Sequence, residues 1–315
     1  MEGLLLAVAA VIVTHNSEDV IGACLEALTK MAPSVAPVVV DNASADLSVG
    51  RARRAGAQVI ANPDNRGFAA AVNQGFRATP AELVLVLNPD VRITAPLDPL
   101  VLAAQENGLS AGQLTDDAGR AQTGFTIRRL PTAATLSFEL LGINRLWRNN
   151  PVNRRYRYLD RDLSQPGPVE QPAGAFLMIR RDVWEKLGGL DESFHPIWFE
   201  DVDFCRRALD AGYKIQYVPG VRAAHRGAHS ISRIPVGCRT RYWYGSLLRY
   251  AAQHLPPSAY RAVWLAALLG AIPRMVAGIM REQSLRSARA VFETIRSSRR
   301  RKPSPARRTG TGQDS

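Results

Sequence analysis

Three runs of apolar residues in the first ninety positions each end in a cluster of polar residues. The runs cover residues 11–13, 37–40 and 82–87, in which Glu82 is the one residue that is not apolar, and the polar clusters follow at residues 14–16, 41–44 and 88–90. After the first cluster, apolar residues recur at helical spacing from Val20 to Leu28. Strands without polar alternation, separated by helical segments, predict an α/β fold with a mostly parallel central sheet flanked by helices.

The polar clusters lie at the carboxyl ends of the predicted strands, where open α/β sheets bind their ligands. Asp41 and Asp90 each directly follow a buried strand, so each is placed to meet a ligand. Either carboxylate could instead cap the turn that follows, and spacing alone leaves both interpretations open. Arg66 and Gly67 precede a predicted helix, a setting suited to a phosphate group or a base edge.

A second set of elements follows an irregular stretch from about residue 127 to 172. The pattern predicts a strand at 174–179, a short helix at 182–187, a helix from about 198 to Gly212, and a strand at 214–218 that leads to His225.

Three carboxylates crowd the start of the helix near residue 200. Glu200, Asp201 and Asp203 could simply compensate the dipole at the N-terminus of the helix. Because Asp203 lies two positions after Asp201, the two side chains leave the helix on different sides. We therefore expect one of them to face a cleft and the other to make structural contacts.

The positive charge of the chain is concentrated in its C-terminal part. The 315 residues carry a formal net charge of +12, and residues 231–315 contain sixteen Arg or Lys against three carboxylates. Residues 260–280 are largely apolar but are interrupted by Arg261, Pro273 and Arg274, so an interfacial helix is favoured over a membrane span. A core helix followed by a solvated tail is the alternative.

The chain is long enough for one main core with an appendage. We predict a catalytic domain at 1–230, a helical, membrane-associating extension at 231–298 and a disordered basic tail at 299–315. The apolar stretch at 4–13 follows an acidic residue instead of a basic flank, which favours a buried strand over a signal peptide. Three widely spaced cysteines argue against a disulfide framework and a structural zinc site, and favour a reducing cytoplasm.

Seven short motifs occur in an order that resembles the family-2 glycosyltransferases, most closely their bacterial rhamnosyltransferase-like branch. They are Val-Ile-Val-Thr-His-Asn-Ser (11–17), Val-Val-Asp-Asn-Ala-Ser (39–44), Asn-Pro-Asp-Asn-Arg-Gly-Phe-Ala (62–69), Leu-Asn-Pro-Asp (87–90), Gly-Ala-Phe-Leu-Met-Ile-Arg-Arg (174–181), Gly-Gly-Leu-Asp-Glu-Ser-Phe (188–194) and Phe-Glu-Asp-Val-Asp-Phe-Cys-Arg-Arg (199–207). The resemblance covers about residues 8–230.

This resemblance implies a GT-A fold, in which about residues 8–110 bind a nucleoside diphosphate sugar and about residues 111–230 receive the acceptor. The donor-binding positions that it implies are Thr14, Asn16, Asp41, Asn42, Arg66, Gly67 and Asn88. The family's Asp-x-Asp metal motif reads Asn88-Pro89-Asp90 here, so Asp90 is the one carboxylate left to bind Mg²⁺ or Mn²⁺. His225 matches a late metal ligand of some relatives, and Asp201 matches the general base.

The expected function is inverting transfer of a sugar to a hydroxyl of a cell-envelope glycan or a polyprenyl-linked acceptor. L-Rhamnose from dTDP-rhamnose is the first choice of donor, with a UDP-sugar or a GDP-sugar left open. The protein is expected in the bacterial cytoplasm, bound peripherally to the anionic inner face of the membrane.

Three other classes of protein are alternatives to this expectation. A nucleotidyltransferase would not need the acidic cluster at 200–203, and a catalytically silent homologue would only bind the sugar nucleotide. A nucleic-acid-binding protein is disfavoured because the basic excess lies outside any recognisable reading helix and lacks aromatic platforms. No nucleic-acid partner is therefore expected.

Overall fold

The computed structural model describes residues 7–227, 234–282 and 285–298, and its contacts divide the chain into two compact units. The first unit is formed by residues 1–130 and 149–235, and the second by residues 131–148 and 236–315. The predicted tail at 299–315 lies outside the described residues.

The first unit contains a nine-stranded sheet and a two-stranded sheet. In chain order the strands are β1 (Val8–Thr14), β2 (Ala36–Asn42), β3 (Gln58–Asn62), β4 (Leu83–Leu87), β5 (Val91–Ile93), β6 (Gly108–Thr115), β7 (Ile127–Arg128), β8 (Gly167–Pro168), β9 (Gln171–Pro172), β10 (Phe176–Arg180) and β11 (Lys214–His225). The order in the large sheet is β3-β2-β1-β4-β10-β6-β11-β5, with β8 beside β11, and the small sheet pairs β7 with β9.

Helices cover the large sheet and connect its strands. Those of the first unit are α1 (Glu18–Met31), α2 (Ser48–Arg54), α3 (Phe68–Arg77), α4 (Asp98–Asn107), α7 (Pro151–Tyr156), α8 (Arg181–Leu187) and α9 (Glu200–Asp210). Two clusters of buried apolar side chains accompany the sheet, one including Ile12 and Leu85 and the other including Val11 and Val84. Neighbouring residues of one strand thus contribute to different clusters, as expected for a sheet buried on both faces.

The sheet is mixed, and its N-terminal half is parallel as predicted. Strands β1 to β4 pair in parallel with one another, whereas β10 runs antiparallel to β4 and to β6. Strand β11 extends beyond the predicted 214–218 segment to His225. Its pairing register with β6 shifts between Val218 and Arg222, and pairing continues on both sides of this irregularity. The polar ends of β1, β2 and β4 therefore lie along one edge of the sheet.

The second unit is helical. Its helices are α5 (Ala133–Leu140), α6 (Ile143–Leu146), α10 (Val236–His254), α11 (Pro257–Glu282) and α12 (Leu285–Ser298). Helix α5 packs against α11, so residues 131–148 join the C-terminal helices and not the sheet, a grouping that the predicted division at residue 230 did not contain. Tyr260 Oη and Trp264 Nε1 donate to the carbonyl oxygens of Ser298 and Ile295, both at 2.9 Å, which ties α11 to α12.

None of the described helices combines the length and the apolarity that crossing a bilayer requires.

Candidate functional site

The ends of β1 and β2 are joined through the carboxylate of Asp41. Thr14 Oγ1 donates to Asp41 Oδ1 at 2.7 Å, and the backbone nitrogen of Ser44 donates to Asp41 Oδ2 at 2.9 Å. Asp41 and Thr14 are both buried. The predicted donor-binding residues Thr14 and Asp41 therefore hold each other in place, and the carboxylate orders the loop that follows β2.

Two residues of these loops adopt the left-handed backbone conformation, which is uncommon for side chains other than glycine. Asn16 has a φ of 52° and Ala43 a φ of 58°. The Asn16 side chain accepts a hydrogen bond from the backbone nitrogen of Ala45 at 2.8 Å, which fastens the β1 loop to the β2 loop. Such local strain is found at ligand sites whose surroundings enforce it.

Asn42 connects these loops to the start of α3. Its Nδ2 donates to the carbonyl oxygen of Gly67 at 3.1 Å, and its Oδ1 accepts from Asn62 Nδ2 at 3.1 Å. The structure therefore places Asn42 beside Gly67, two of the predicted donor residues. The exposed Arg66 side chain makes no hydrogen bond or ion pair with the part of the chain that the structure describes.

Gly67 is required by a close approach between two chain segments. Its φ is +83°, and a Cβ added there would lie 2.7 Å from His195 Nδ1 and 3.2 Å from the Pro196 carbonyl oxygen. The backbone nitrogen of Phe68 donates to that same carbonyl at 2.9 Å. The start of α3 is thereby fixed to the segment that leads into α9.

Asp90 lies in a tight turn directly after β4. The backbone nitrogen of Val91 donates to the Asn88 carbonyl oxygen at 3.1 Å, closing the turn. The Asp90 side chain is buried, and its Oδ1 lies 3.6 Å from His225 Nε2 at the end of β11. The two predicted metal ligands are thus adjacent in the fold, although they are far apart in the sequence.

Gln122 sets the orientation of the His225 ring. Gln122 Nε2 donates to the His225 carbonyl oxygen at 2.7 Å, so Gln122 Oε1, 3.0 Å from His225 Nδ1, accepts a hydrogen bond from it. This assignment leaves the Nε2 lone pair facing Asp90. Burial lowers the pKa of His225, and the nearby Asp90 charge opposes that shift, so the ring is favoured in its neutral form.

Asp90 and His225 present an oxygen and a nitrogen of the kinds that divalent cations bind in proteins. A lone pair that faces a carboxylate at 3.6 Å is electrostatically unfavourable unless a cation lies between them, and a histidine ligand with its second nitrogen hydrogen-bonded is a usual metal-site arrangement. The described residues contain no group of three or more His, Cys, Asp or Glu side chains that could hold a metal. Phosphate oxygens and water complete such sites when the protein supplies few ligands.

Asp201, in the first turn of α9, is held by two backbone nitrogens. Gly174 N donates to Asp201 Oδ2 at 2.9 Å, and Val202 N donates to Oδ1 at 2.8 Å. A Cβ added to Gly174 would lie 3.0 Å from Asp201 Cβ, so this close contact depends on glycine. Burial raises the pKa of Asp201, partly offset by these hydrogen bonds and by the positive charge of Arg128.

The other two carboxylates of the acidic cluster have different surroundings. Asp203 is buried and pairs with Arg207 at 2.7 Å, and Arg207 in turn donates to the carbonyl oxygens of Leu187 and Gly189. Glu200 is 4% exposed, and its Oε2 has no hydrogen-bond partner among the described residues. Burial, with the charge of Asp201 adding to it, raises the pKa of Glu200 well above its usual range.

A short path of hydrogen bonds connects the Asp90 turn to Asp201. Asn88 N donates to the Ala175 carbonyl oxygen at 3.0 Å, and Gly174, the preceding residue, binds Asp201. Trp198 and Phe199, just before α9, have φ values of 79° and 71°. Backbone strain at this point is consistent with a functional constraint on the start of α9.

Sequence reasoning missed several residues of this site. Gln122 and Phe125 lie in a stretch with no regular pattern, and no signal in the sequence indicates that Gln122 orients His225 or that Phe125 stacks on its ring, with centroids 5.2 Å apart. Gly174 could have been identified from the sequence. It is the first residue of the Gly-Ala-Phe motif, and a glycine ahead of a buried strand can indicate that another chain segment approaches closely.

Comparison with protein families gives two matches. The model for glycosyl transferase family 2 matches residues 9–188, and the model for glycosyl transferase family group 2 matches residues 156–288. The first match covers more than half of the chain.

Two curated relatives align over most of their length. An N-acetylglucosaminyl-diphospho-decaprenol L-rhamnosyltransferase of Mycobacterium tuberculosis (strain CDC 1551 / Oshkosh) is 27% identical over 285 residues, covering 85% of this chain and 87% of the relative. The rhamnosyltransferase WbbL of Escherichia coli (strain K12) is 27% identical over 256 residues, covering 77% and 92%.

Solved structures share the fold. The mannosyltransferase PcManGT of Pyrobaculum calidifontis, in complex with GDP-Man and Mn²⁺, superposes with a TM-score of 0.54 at 16% identity, covering 93% of this chain and 80% of that one. A glucosyl-3-phosphoglycerate synthase of Mycobacterium tuberculosis, with Mn²⁺ and UDP, gives 0.50 at 16% identity, covering 78% of each chain. The predicted GT-A fold is confirmed.

Proposed function

The chain belongs to glycosyl transferase family 2 and is a glycosyltransferase, and from this premise we propose that it transfers L-rhamnose from dTDP-rhamnose, with inversion, to a lipid-linked glycan. The observation that carries the mechanism is the hydrogen-bonded connection between the Asp90 turn and Asp201. Asp90, with His225 beside it, and the half-buried carboxylate of Asp201 thus lie at one edge of the sheet.

On the donor side, Thr14, Asn16 and Asp41 would hold the nucleobase and ribose of the donor. Their loops are ordered by their own hydrogen bonds, so the recognition surface is largely preformed. The exposed guanidinium of Arg66 lies beside the start of α3, where it could reach a phosphate of the donor. Asn42 and Gly67 hold the two loops together.

Asp90 and His225 would hold Mg²⁺ or Mn²⁺ at the donor diphosphate. The cation supplies a positive charge that stabilises the negative charge building on the leaving diphosphate. The chain's own contribution is the fixed geometry: Gln122 holds the imidazole ring, and the turn at Asn88 holds the Asp90 carboxylate. Solved structures of the same fold contain Mn²⁺.

Asp201 would act as the general base. The acceptor oxygen forms a bond to the anomeric carbon as the bond from that carbon to the phosphate oxygen breaks, and the electron pair of the broken bond stays with the diphosphate. The proton of the acceptor hydroxyl passes to Asp201, whose raised pKa makes it a stronger base than an ordinary aspartate. Attack from the side opposite the leaving group inverts the anomeric centre.

The curated relatives support the choice of substrates. One acts on N-acetylglucosaminyl-diphospho-decaprenol, and both are rhamnosyltransferases. We therefore propose an acceptor sugar carried on a polyprenyl diphosphate, as used in building cell-envelope polysaccharides.

Transfer assays with the full-length protein test this function. The donors would be dTDP-rhamnose, UDP-glucose and GDP-mannose, each with Mn²⁺ or Mg²⁺, and the acceptor would be a short-chain N-acetylglucosaminyl diphosphate lipid. We expect transfer from dTDP-rhamnose, with nuclear magnetic resonance showing the opposite anomeric configuration in the product. Transfer from a different donor would change the assigned sugar, and a retained configuration would exclude Asp201 as the base.

We also propose that the second unit binds the anionic inner surface of the cell membrane. Leu265, Leu269 and Ile272 are each more than half exposed and recur at helical spacing on α11. The chain from residue 231 onward carries the large basic excess. An exposed apolar stripe on a strongly basic segment suits an interfacial helix, because the apolar side chains enter the acyl boundary while the basic residues meet anionic head groups.

A further inference from the structure

The guanidinium of Arg128, at the end of β7, is held in place by neighbouring groups of the first unit. Its Nε donates to the Gly124 carbonyl oxygen at 2.8 Å. Its Cζ lies 5.6 Å from the centre of the Phe125 ring and 5.9 Å from that of Tyr156, both within cation–π range. Among the described residues, its terminal nitrogens have no hydrogen-bond acceptor and no carboxylate at ion-pair distance.

A second guanidinium lies close to the first. Arg157 NH1 donates to the same Gly124 carbonyl oxygen at 3.2 Å, and its Cζ lies 5.8 Å from the centre of the same Tyr156 ring. A Cβ added to Gly124 would lie 3.0 Å from Arg157 Cβ, so the close packing depends on this glycine. Arg157 Nε also donates to Asn153 Oδ1 at 2.9 Å. The two guanidinium groups are thus held close together at one carbonyl and one aromatic ring, and a bound anion would reduce the repulsion between their charges.

Backbone pairing brings Arg128 near the segment that holds the proposed base. Arg128 pairs with Gln171 between β7 and β9, and Ala173 N donates to the Thr126 carbonyl oxygen at 3.0 Å. The next residue, Gly174, binds Asp201. The Phe125 ring, over which Arg128 lies, also stacks on His225.

Arg128 therefore contacts the ring that stacks on His225, and its positive charge acts on Asp201. Structural arginines at such partly buried positions are normally paired with a carboxylate. The aromatic rings and the single carbonyl orient the guanidinium, and no carboxylate of the described residues lies at ion-pair distance from it. Its charge acts on Asp201 from a longer distance.

We propose that Arg128, with Arg157 beside it, binds the diphosphate that links the acceptor sugar to its lipid. A guanidinium presents paired N–H groups that match two phosphate oxygens, and its delocalised charge suits a diphosphate. The acceptor is favoured over the donor as the source of the diphosphate because the chain leads directly from β9, the partner strand of Arg128, to Gly174, which binds Asp201. The donor diphosphate has its own candidate site at Asp90 and His225. This inference rests on the proposed function for the identity of the acceptor.

Calorimetric titration of the full-length protein with geranyl diphosphate, a lipid diphosphate without a sugar, tests the inference. Arg128→Gln is expected to weaken geranyl diphosphate binding by about 10- to 100-fold, as removal of a charge-assisted, paired hydrogen bond would do. The affinity of Arg128→Lys for geranyl diphosphate should lie between those of the wild type and Arg128→Gln, because lysine keeps the charge and loses the paired geometry. A parallel titration with dTDP and Mn²⁺ should change less than about twofold in either variant.

Arg120→Gln is the matched control, since the Arg120 side chain is exposed and pairs with Asp116 at 2.8 Å. It should leave both titrations unchanged. The inference is overturned if the wild-type protein does not bind geranyl diphosphate, if Arg128→Gln binds it normally, or if dTDP binding falls as much. Retained dTDP binding also shows that the variants are folded. Failure of the wild-type protein to transfer sugar would refute the proposed function separately, because these titrations do not depend on turnover.

Discussion

Asp201 and Glu200 are adjacent carboxylates with different expected roles. Asp201→Asn keeps the size of the side chain and one hydrogen-bonding oxygen, but it cannot accept the acceptor's proton. Positioned acid–base groups contribute about 10²- to 10⁴-fold to rate, so single-turnover transfer should fall by at least that order. Donor affinity, measured by titration, should barely change, because the base acts on the acceptor in the transition state.

Glu200→Gln is the comparison for this measurement. Glu200 is buried, and its raised pKa favours the neutral carboxylic acid, which glutamine resembles in shape and charge. We expect a much smaller loss of rate than for Asp201→Asn. A near-normal rate in Asp201→Asn would exclude Asp201 as the general base. A larger loss of rate in Glu200→Gln than in Asp201→Asn would assign that role to Glu200.

The burial of Glu200 also predicts a pH dependence of stability. In the unfolded chain the carboxyl ionises near its usual pKa, whereas in the folded protein burial raises that pKa well above it. Between the two values the folded state holds one more proton, so the free energy of unfolding decreases as pH rises. The unfolding temperature of the wild-type protein should fall from about pH 5 to about pH 8 more steeply than that of Glu200→Gln. Parallel slopes would show that Glu200 ionises normally in the folded protein.

Asp90→Ala should weaken metal-dependent donor binding. It removes one of the two proposed protein ligands and leaves His225 as the other. We expect the gain in donor affinity that Mn²⁺ gives the wild-type protein to drop by about tenfold or more. Asp117→Ala, which changes an exposed carboxylate paired with Arg92, is the control. Equal Mn²⁺ dependence in Asp90→Ala and the wild type would identify Asp90 as a turn residue only.

At the scale of elements, the contact between the start of β10 and α9 positions the proposed base. Gly174→Ala adds a methyl group 3.0 Å from Asp201 Cβ and 3.3 Å from its Oδ2, so α9 or the side chain must shift. Misplacement of a catalytic group by about 1 Å can cost on the order of 100-fold in rate. Transfer should fall markedly while dTDP affinity and unfolding temperature change little. Gly220→Ala is the control, because an added Cβ there meets no atom within 4 Å. Equal rates for both variants would contradict this positioning role.

The N-terminal elements could be predicted because strand and polar loop follow one another in a simple repeat. Each buried run, such as Val38–Val40, must cross the core, and the polar residues after it must leave the core at the edge of the sheet. This reasoning brought Thr14, Asp41 and Asp90 to one edge of the sheet. The family resemblance added Asp201 and His225, which lie more than a hundred residues away from them in sequence.

The rest of the site depends on tertiary pairing that periodicity does not encode. The antiparallel direction of β10 and the pairing of β7 with β9 are decided by long connections through residues 116–172, whose elements are short. Gln122 could not be predicted for the same reason, because it orients His225 through a side-chain hydrogen bond that forms only in the folded chain. Residues 131–148 belong to the second unit because α5 packs against α11, a contact that the sequence of α5 alone does not predict.

At the scale of the whole molecule, the exposed apolar stripe of α11 should govern binding to membranes. The triple variant Leu265→Gln, Leu269→Gln, Ile272→Gln replaces the three large apolar side chains that are exposed on the described part of α11 and leaves buried residues such as Val263 and Ala267 unchanged. Each large aliphatic side chain contributes on the order of 1 kcal/mol when it leaves water, so binding to anionic vesicles should fall by at least about tenfold. Sedimentation with phosphatidylglycerol vesicles measures the bound fraction.

Leu102→Gln, at an equally exposed leucine of the first unit, is the control for this variant. Equal sedimentation of the triple variant and the control would contradict a membrane role for the stripe. Binding that persists in phosphatidylcholine vesicles at high salt would indicate that the basic residues contribute little.

The close approach of Gly67 to His195 and Pro196 has a consequence for engineering donor preference. A designer who wants another nucleotide sugar would exchange the loop at 62–69 for that of a different family member. Because Gly67 and Phe68 are fitted to the backbone at 195–196, the exchanged loop would meet a surface shaped for its predecessor. The two segments should therefore be exchanged together. A chimera that carries both segments should retain sugar transfer to the acceptor, whereas a chimera that carries the loop alone should lose it.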